Sequence, residues 1–454
     1  MEEKDEFFDK NDVEHVPAPT ASPKKRRKWV SIVLAVCLVA VSFFGGFLTR
    51  WYTLDGGIRT LSKIKDGIDK HYYKEVSDDD FYTTLFEAVN SEILDSYSYY
   101  MTEEEYNESL QGLKGNQVGI GLVFARDAET GVTQMTVHRV AGNSPAESAG
   151  VAVGDEILGF GATESEITLS SSFDEFSSFL LTMAENTQFF LKIRSSDGEK
   201  NVAVKRTAYV ENYVFYKTST SSYGFVGAKA NAFKEIGSPL TALDDETAYI
   251  RLLQFSGNAE DGFQTAMAQL KKDGKKNLVL DLRGNGGGYL DVMQSISAYF
   301  CKNATDKKPV VAVADFGESK EEYRADGNKF SEYFSAESKI YAIVDGDTAS
   351  ASECLLGAIL DYGALEFKDV CLVGADGTYK TFGKGIMQET RAVSPFEGDA
   401  LKLTTAEIFW PKSNRSIHGR GILPEDGAVC LDKDANFDVT TASAIALLTG
   451  AGAH

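Results

Sequence analysis

The hydrophobic and polar positions divide the chain into regions with different periods. Residues 29–49 carry no charged side chain, and an apolar run of this length matches the hydrocarbon core of a bilayer, which is about 30 Å thick. Residues 50–113 place apolar side chains at helical spacing, as at Leu85 and Val89, which predicts a helical region. Residues 114–206 consist of short alternating segments that are typical of β-strands.

The last region, residues 207–454, alternates strand-like and helix-like segments. Helices are predicted at residues 259–272 and 291–300, and strands at residues 249–255, 278–282, 310–314, 339–344, 370–373 and 401–409. Such alternation is typical of crossover units in which a helix joins two parallel strands. The region is therefore predicted to form an α/β domain around a largely parallel sheet.

A basic cluster at residues 24–28 directly precedes the apolar run. The positive-inside rule places such a cluster in the cytoplasm. Residues 1–28 are therefore predicted to be a cytoplasmic tail and residues 29–49 a transmembrane helix. The alternative is a cleaved signal peptide, but its apolar segment would be shorter and a small-residue cleavage site would follow it. We expect a single-pass protein of the cell membrane whose remaining chain is extracytoplasmic.

The composition argues against several kinds of partner and site. A formal net charge of −21 is unfavourable for binding nucleic acid, because phosphate contacts need clustered Lys and Arg. The five cysteines include no C-x-x-C pair, so neither a metal site nor a disulfide scaffold is predicted. No cofactor is expected. A homo-oligomer is compatible with the composition but is not indicated by it.

Glycines flank an apolar segment at the start of the β-rich region. The sequence V-G-I-G-L-V at residues 118–123 is followed by S-P-A-E-S-A-G at residues 144–150 and G-D-E-I-L at residues 154–158. Together these segments resemble a PDZ domain. Main-chain N–H groups around glycines can hold a peptide carboxylate, and the peptide can then add as a strand beside them. The predicted peptide-binding residues are Gly119, Ile120, Gly121 and Leu122; a glycine-rich turn without a ligand is the alternative.

Three segments of the last region carry candidate chemistry. D-L-R-G-N-G-G-G at residues 281–288 ends a strand in a turn whose N–H groups suit a phosphate or an oxyanion. A-S-A-S-E at residues 349–353 places Ser350 at a helix start, either as a nucleophile or as an N-cap in a capping box with Glu353. F-G-K-G at residues 382–385 holds Lys384, which is either a solvated charge or, if buried, a general base with a lowered pKa.

These segments, with the block P-K-S-N-R-S-I-H-G-R-G-I-L-P at residues 411–424, resemble the carboxyl-terminal processing peptidases, also called tail-specific proteases. The resemblance implies that Ser350 is the nucleophile, that Lys384 is its general base and that Gln388 orients the lysine. It also implies an oxyanion hole made by the N–H groups of Ala351 and Gly287.

Two further polar residues lie near this implied site. The resemblance puts Asp361 at a position proposed for a third polar partner, although an aspartate on a helix surface is the ordinary interpretation. His418 is the nearby histidine that would replace the lysine as base, but its place in a turn-like block favours a structural role.

The resemblance implies an α/β protease domain with a crotonase- and ClpP-like core. An inserted mainly-β PDZ domain, an N-terminal helical region and one transmembrane helix complete the expected architecture. The predicted activity is that of a serine endopeptidase that recognises the exposed C-terminal tails of protein substrates and cleaves upstream of them. The alternative is a non-catalytic protein in which the PDZ-like module binds partner tails and the protease domain is a scaffold.

Overall fold

The computed structural model describes residues 55–450 except for six short gaps. The gaps are residues 115, 127–132, 226–232, 236, 394–397 and 435; residues 32–33 and 35–38 are also described, as helix. The predicted transmembrane helix at residues 29–49 therefore lies largely outside the described residues. Within the described part of the chain, no helix is both long enough and apolar enough to cross a membrane.

The described residues form helices and strands with the following bounds. The helices are α1 (Gly56–His71), α2 (Asp78–Glu92), α3 (Glu103–Leu113), α4 (Pro145–Ser148), α5 (Phe173–Thr182), α6 (Ala259–Lys272), α7 (Leu290–Ser297), α8 (Phe330–Tyr333), α9 (Ala351–Asp361) and α10 (Phe437–Thr449). The strands are β1 (Tyr99–Met101), β2 (Asn116–Gly119), β3 (Leu122–Arg126), β4 (Thr133–Val140), β5 (Glu156–Gly161), β6 (Thr168–Leu169), β7 (Gln188–Ser195), β8 (Gly198–Lys205), β9 (Thr207–Val210), β10 (Val214–Lys217), β11 (Ser222–Phe225), β12 (Phe233–Glu235), β13 (Thr247–Leu252), β14 (Asn277–Asp281), β15 (Val310–Asp315), β16 (Lys320–Arg324), β17 (Ile340–Asp345), β18 (Val370–Gly374), β19 (Ile386–Ala392), β20 (Ala400–Phe409) and β21 (Val429–Asp432). Short 3-10 turns lie at Glu164–Glu166, Phe367–Asp369 and Pro424–Asp426.

The chain divides into a unit of residues 1–85 and a unit of residues 86–454. In the first unit, helix α1 begins after Asp55, whose carboxylate accepts a hydrogen bond from the Gly57 N–H at 2.7 Å. The Lys65 ammonium lies 2.6 Å from Asp69 and 2.6 Å from Asp78. These ion pairs tie helix α1 to the residue at which helix α2 begins.

The region predicted to be helical, residues 50–113, also contains a strand. Strand β1 pairs antiparallel with β20, with Tyr99 opposite Lys402. Helix α3 follows it and begins with a capping box between Thr102 and Glu105. The sequence pattern missed β1 because the strand is 3 residues long and is formed by pairing with a distant segment rather than by its own periodicity.

Residues 122–205 form a separate module of antiparallel strands. Its sheet has the order β3-β4-β5-β7-β8, with β6 paired to β5. Phe176 of helix α5 packs into the core of this module together with Phe189, Leu191 and Ile193 of β7. The two-stranded ribbon of β2 and β9 lies at the entry and exit of the module. These strands fall within residues 114–206, the region predicted to be mainly β, and their buried side chains share one hydrophobic core.

The last region is built on an eight-stranded sheet. Its order is β12-β11-β10-β13-β14-β17-β18-β21, and the pairs from β13 to β21 are parallel. Helices α6, α7 and α9 contribute buried side chains to its main core, as Phe263, Met293 and Leu355 show. Parallel strands end at one edge of the sheet, so the turns after β14 and β17 are neighbours. The α/β protease-type core expected from the sequence is confirmed.

The prediction that residues 310–314 and 401–409 extend the parallel sheet was wrong. Both segments are strands, β15 and β20, but they pair antiparallel with each other in a second sheet that also contains β1, β16 and β19. Most residues of β20 are only half-buried, as is usual for an antiparallel sheet with one wetter face. The apolar pattern predicted the strands but not which sheet they join.

Candidate active site

Ser350 lies in the turn that joins strand β17 to helix α9. Its φ angle is +57°, a left-handed conformation that is uncommon for a residue other than glycine. Thr348 braces this turn, because its hydroxyl accepts from the Asp345 N–H at 3.0 Å and donates to the Leu282 carbonyl at 2.9 Å. Ser350 is half-buried and stands where a helix leaves its first N–H groups without helical partners.

The side chain of Glu353 joins the turn of Ser350 to the loop of Lys384. Its buried carboxylate accepts hydrogen bonds from the Ser350 N–H at 3.0 Å and the Thr381 hydroxyl at 2.5 Å. It also accepts from the N–H groups of Gly383 and Lys384, each at 2.9 Å. Burial raises the pKa of Glu353, against the effect of these hydrogen bonds. One carboxylate thus holds the main chains of Ser350 and Lys384 together.

The side chain of Lys384 is half-buried and faces an aromatic ring. Its Nζ atom lies 4.6 Å from the centre of the Tyr97 ring. Burial, and secondly the charge of Lys402, lower the pKa of Lys384, while Asp95 acts in the opposite direction. Among the described residues, no hydrogen bond joins the Lys384 ammonium to the Ser350 hydroxyl. The structure therefore joins Ser350 and Lys384 through their main chains and not through their side chains.

Gly287 packs directly against the turn of Ser350. Its φ angle is +104°, and a Cβ atom placed on it would lie 2.8 Å from the Ser350 Cβ and 3.0 Å from the Ala351 nitrogen. The Gly287 N–H donates to the Asn285 side-chain oxygen at 3.0 Å. The structure therefore brings Gly287 and Ala351 together, but the Gly287 donor is already occupied within its own turn.

The glycine turn is tied to the turn of Ser350 by further contacts. The Asn285 carbonyl accepts from the Ala349 N–H at 3.0 Å and from the Ser352 hydroxyl at 2.9 Å. The Gly284 N–H donates to the Asp345 carboxylate at 3.0 Å. Burial raises the pKa of Asp345. These bonds fix the glycine turn and the serine turn relative to each other.

A buried ion pair stands immediately before the glycine turn. The carboxylate of Asp281, which is 0% exposed, pairs with the Arg283 guanidinium at 2.5 Å and accepts from the Tyr249 hydroxyl at 2.5 Å. Burial opposes the ionisation of Asp281, but Arg283 more than compensates and lowers its pKa.

Helix α10 covers this ion pair. The Arg283 guanidinium lies 4.0 Å from the centre of the Phe437 ring, and it donates to the Thr441 hydroxyl at 2.6 Å. The Arg251 guanidinium lies 4.1 Å from the centre of the same ring. Helix α10 thereby holds the residue that starts the glycine turn.

Three other residues singled out in the sequence have different partners from those expected. The Gln388 amide donates to the Thr404 hydroxyl at 3.4 Å rather than to Lys384. Asp361 accepts from the N–H groups of Lys412 and Ser413 at 2.8 and 2.9 Å, at the far end of helix α9. The His418 N–H donates to the Ser416 hydroxyl at 3.2 Å, which fits the structural role predicted for that block.

The glycine-flanked segment of the inserted module borders an apolar groove. Gly119 ends ribbon strand β2, opposite Thr207, and Ile120 is buried in the core of the module. Gly121 has φ +80°, and a Cβ atom on it would lie 2.2 Å from that of Ser144, so only glycine fits there. Strand β3, which begins at Leu122, is an edge strand of its sheet.

The groove runs between strand β3 and helix α5. Its volume is about 370 Å³. The lining residues are Ile120, Leu122, Val123, Phe124, Thr133, Phe173, Phe176, Ser177 and Leu180. An open strand edge beside an apolar helix face is the geometry in which a peptide adds as a further strand.

A second cavity, of about 300 Å³, lies between the inserted module and the glycine turn. Arg139 of strand β4 lines it together with Tyr213, Leu253 and Gln254, and the glycines Gly284, Gly286, Gly287 and Gly288 complete the wall. Arg139 also forms an ion pair with Glu211, which is buried. The inserted module therefore reaches the glycine turn through a charged side chain.

Sequence reasoning missed two residues of this site. Glu353 was interpreted only as part of a helix cap, although the S-x-x-E spacing was visible and the structure gives its carboxylate more partners than a cap needs. Tyr97 was not identified as a residue of the site. Its contact with Lys384 joins distant parts of the chain, and no local sequence pattern predicts such a contact.

The sequence of the chain is similar to those of known proteins. Residues 246–426 match the profile of peptidase family S41. The chain is 27% identical over 396 residues to a probable CtpA-like serine protease of Staphylococcus epidermidis, which covers 87% of this chain and 70% of that protein. It is 28% identical over 409 residues to a probable CtpA-like serine protease of Staphylococcus aureus, with 88% and 72% covered.

Among solved structures, the photosystem II D1 C-terminal processing protease matches with a TM-score of 0.46 and 22% identity. The match covers 81% of this chain and 86% of that one. The matched range, residues 246–426, contains Ser350, Glu353 and Lys384. Residues 246–426 therefore form a region of the peptidase family S41 type, and the comparisons support serine-type peptidase activity on protein substrates.

Proposed function

We propose that Ser350 and Lys384 are the catalytic dyad of this peptidase, with Ser350 as nucleophile and Lys384 as general base. The observation that carries the proposal is the single Glu353 oxygen atom that accepts from the main-chain N–H groups of both residues. A base that serves a nucleophile must stay within reach of it through the reaction. The lowered pKa of Lys384 supports the assignment, because only the neutral amine can accept a proton.

In the proposed reaction, the neutral Lys384 amine takes the proton of the Ser350 hydroxyl while the Ser350 Oγ atom attacks the scissile carbonyl carbon. The tetrahedral intermediate collapses, the Lys384 ammonium gives its proton to the departing amine, and an ester to Ser350 remains. Lys384 then deprotonates a water molecule that hydrolyses the ester. The product acid leaves, and Ser350 regains its proton.

The oxyanion of the intermediate is proposed to lie at the start of helix α9. The Ala351 N–H is the first donor, since an N–H at a helix start has no helical partner. Gly287, which packs against Ala351, is proposed as the second donor. Its N–H must first leave the Asn285 side chain, so the second donor is completed only when the glycine turn adjusts to the substrate.

The lysine side chain must also move before it can act as base. Its ammonium faces Tyr97 in the resting arrangement, and rotation about its side-chain bonds would bring Nζ towards Ser350. Gln388 is proposed to orient the amine in that second position, after its weak contact with Thr404 at 3.4 Å is broken.

The inserted module is proposed to act as a PDZ domain that binds the C-terminal tail of a substrate. The groove beside strand β3 is apolar and has an open strand edge, so it suits an extended tail with an apolar last side chain. The loop through Gly119, Ile120, Gly121 and Leu122 is proposed to hold the terminal carboxylate with its N–H groups.

Residues 29–49 are proposed to anchor the peptidase in the cell membrane, with residues 1–28 in the cytoplasm and the peptidase outside. The support is the uncharged run preceded by a basic cluster. Carbonate extraction of membranes, with a variant that lacks residues 29–49 as comparison, tests the anchor. Full-length protein in the soluble fraction, or a mature N-terminus beyond residue 49, would contradict it.

The dyad is tested with the full chain in mild detergent, as wild type, Ser350→Ala and Lys384→Ala. The substrate is an unfolded protein with a free apolar C-terminal tail, and cleavage is followed by mass spectrometry. The matched control is Lys368→Ala, a lysine on the surface whose side chain pairs with Glu366. We expect no cleavage by the two dyad variants and normal cleavage by the control.

Other outcomes separate the alternatives. Cleavage that survives Lys384→Ala would overturn the proposed base and direct attention to His418. Tail binding with no cleavage by the wild type would favour the scaffold alternative. The proposed binding of C-terminal tails is tested separately. A substrate with an amidated C-terminus should be cleaved more slowly than the same substrate with a free carboxylate, and equal rates would overturn the proposed tail binding.

A further inference from the structure

Two tyrosines of one short segment each lie against the ammonium group of a lysine. The Tyr97 ring centre lies 4.6 Å from the Lys384 Nζ atom, and the Tyr99 ring centre lies 5.1 Å from that of Lys402. Both distances fall within the range in which an ammonium group is attracted to the face of an aromatic ring. Only the first pair involves the proposed base.

The segment that carries Tyr97 is held firmly in place. The Tyr97 N–H donates to the Asp95 carboxylate at 2.9 Å, and the Ser98 N–H donates to the Asp95 carbonyl at 3.1 Å. The Ser98 hydroxyl accepts from the Thr404 N–H at 2.8 Å. The turn at residues 95–98 is thereby fastened to strand β20, and this turn places the Tyr97 ring beside the Lys384 ammonium.

We propose that Tyr97 is a positioning residue for Lys384: its ring holds the protonated side chain in a resting place away from Ser350. The inference rests on the proposed role of Lys384 as base. In this arrangement two groups compete for the Lys384 side chain. The Tyr97 ring binds the protonated ammonium, whereas the Ser350 hydroxyl needs the neutral amine.

The physical basis is the negative face of the aromatic ring, which attracts an ammonium group but not a neutral amine. The other charged groups around the lysine are Lys402, which disfavours its charge, Asp95, which favours it, and Glu353, whose carboxylate contacts its main chain. The ring acts in the same direction as Asp95. Replacing its face by an aliphatic side chain of similar bulk should release more neutral lysine at a given pH.

The test is the pH dependence of kcat/KM for Tyr97→Leu, Tyr97→Phe and wild type. Leucine keeps the apolar cover but lacks the ring, whereas phenylalanine keeps the ring. We expect Tyr97→Leu to move the acid limb of the profile to lower pH, and to raise kcat/KM below the limb by about 2- to 5-fold, the factor that an exposed cation–π contact is worth. Tyr97→Phe should match wild type.

Tyr99→Leu is the matched control, because it removes the same type of contact from Lys402. Its acid limb of kcat/KM should lie much closer to that of wild type than the acid limb of Tyr97→Leu does. If Tyr97→Leu does not fold, phenylalanine with one to three ring fluorines at position 97 weakens the negative face at nearly constant size. The limb should then move stepwise with fluorine number.

Direct titration supplies the second readout. In protein with 13C-labelled lysine, the Lys384 signal is assigned by its absence from Lys384→Met, and its midpoint should fall in Tyr97→Leu. An unchanged midpoint and an unchanged acid limb would overturn the inference. An active Lys384→Ala variant would instead overturn the proposed dyad, so the two failures are distinguishable.

Discussion

Ser350 and Lys384 are joined at the main chain, because both of their N–H groups donate to the same oxygen atom of Glu353. The other oxygen of that carboxylate accepts from Thr381 and Gly383. One buried side chain therefore determines the separation of the two turns on which the proposed dyad stands. Its removal leaves four donors without an acceptor in the protein interior.

The first prediction concerns Glu353→Ala. A buried donor left unpaired costs about 1 to 3 kcal/mol, so the free energy of unfolding should fall by at least that amount. A small displacement of catalytic groups can reduce the rate about 100-fold, and kcat should fall by this order in the folded fraction. Urea unfolding and steady-state kinetics measure the two effects.

Glu353→Gln separates hydrogen bonding from packing. It keeps the volume but turns one acceptor into a donor, so its activity should lie between those of wild type and Glu353→Ala. The surface variant Glu366→Ala is the control. Wild-type kcat in Glu353→Ala would show that the carboxylate does not position the dyad.

Lys402 gives a prediction of opposite sign to that for Tyr97. Its positive charge is one of the groups that lower the pKa of Lys384, so Lys402→Gln should raise that pKa and move the acid limb of kcat/KM to higher pH. Below the limb the rate should fall by about fivefold, the equivalent of a 1 kcal/mol charge interaction. A pH–rate profile measures the shift, and movement to lower pH would contradict it.

Asp361 should prove to be a structural residue. Its carboxylate accepts two main-chain N–H groups and the Ser413 hydroxyl, which lies at 3.1 Å. Asp361→Ala should therefore lower the free energy of unfolding by about 1 kcal/mol and leave kcat within about twofold of wild type. A large loss of kcat in Asp361→Ala, with unchanged stability, would instead show that Asp361 takes part in the reaction.

Asp426 should make stability depend on acid pH. Burial opposes its ionisation, but hydrogen bonds from Arg420 and Arg415 outweigh that effect and lower its pKa from 3.8 to about 2. At pH values above the pKa of Asp426 in the unfolded chain, the lowered pKa contributes about 2 kcal/mol to the free energy of unfolding. This contribution is lost as the pH falls towards 2. Asp426→Asn should therefore be less stable than wild type at neutral pH.

The measurement for Asp426 is urea unfolding of both proteins from pH 7 down to pH 2. The difference between them should shrink below about pH 4 and be mostly lost by pH 2. Asp326→Asn, at an exposed pair with Lys308, is the control and should show little difference. A constant gap between wild type and Asp426→Asn at every pH would mean that packing, not ionisation, is responsible.

Phe437 should influence catalysis although it is far from Ser350 in the sequence. Phe437→Ala removes the ring that covers Arg283 and should loosen the glycine turn, so kcat should fall by about tenfold, with KM changed less. Phe437→Tyr keeps the ring and should restore kcat. Equal kcat in wild type and Phe437→Ala, at any stability, would show that helix α10 does not support the site.

The sequence alone predicted the elements that local pattern determines. The helix at residues 259–272 and the strands around residues 278–282 and 370–373 follow from apolar periodicity, and the structure agrees with them within a residue. The turn of Ser350 was visible as small residues between a strand and a helix. Lys384 and the glycine turn were singled out by their glycine-rich motifs, and their roles were implied by the family resemblance.

What could not be predicted depends on contacts between distant segments. Strand β20 joins a second sheet because its partners are β1, β15 and β19, and its own sequence does not specify them. The resting place of Lys384 against Tyr97, and the Asn285 oxygen that occupies the Gly287 donor, depend on how loops pack once the sheets have formed.

Helix α10 has a consequence for the timing of activity during synthesis. The residue that starts the glycine turn, Arg283, is held by Phe437 and Thr441, which the ribosome adds after both Ser350 and Lys384. A chain that is still emerging therefore contains its proposed dyad before it contains the residues that support the neighbouring turn. The order of synthesis itself delays a fully supported site until helix α10 has docked.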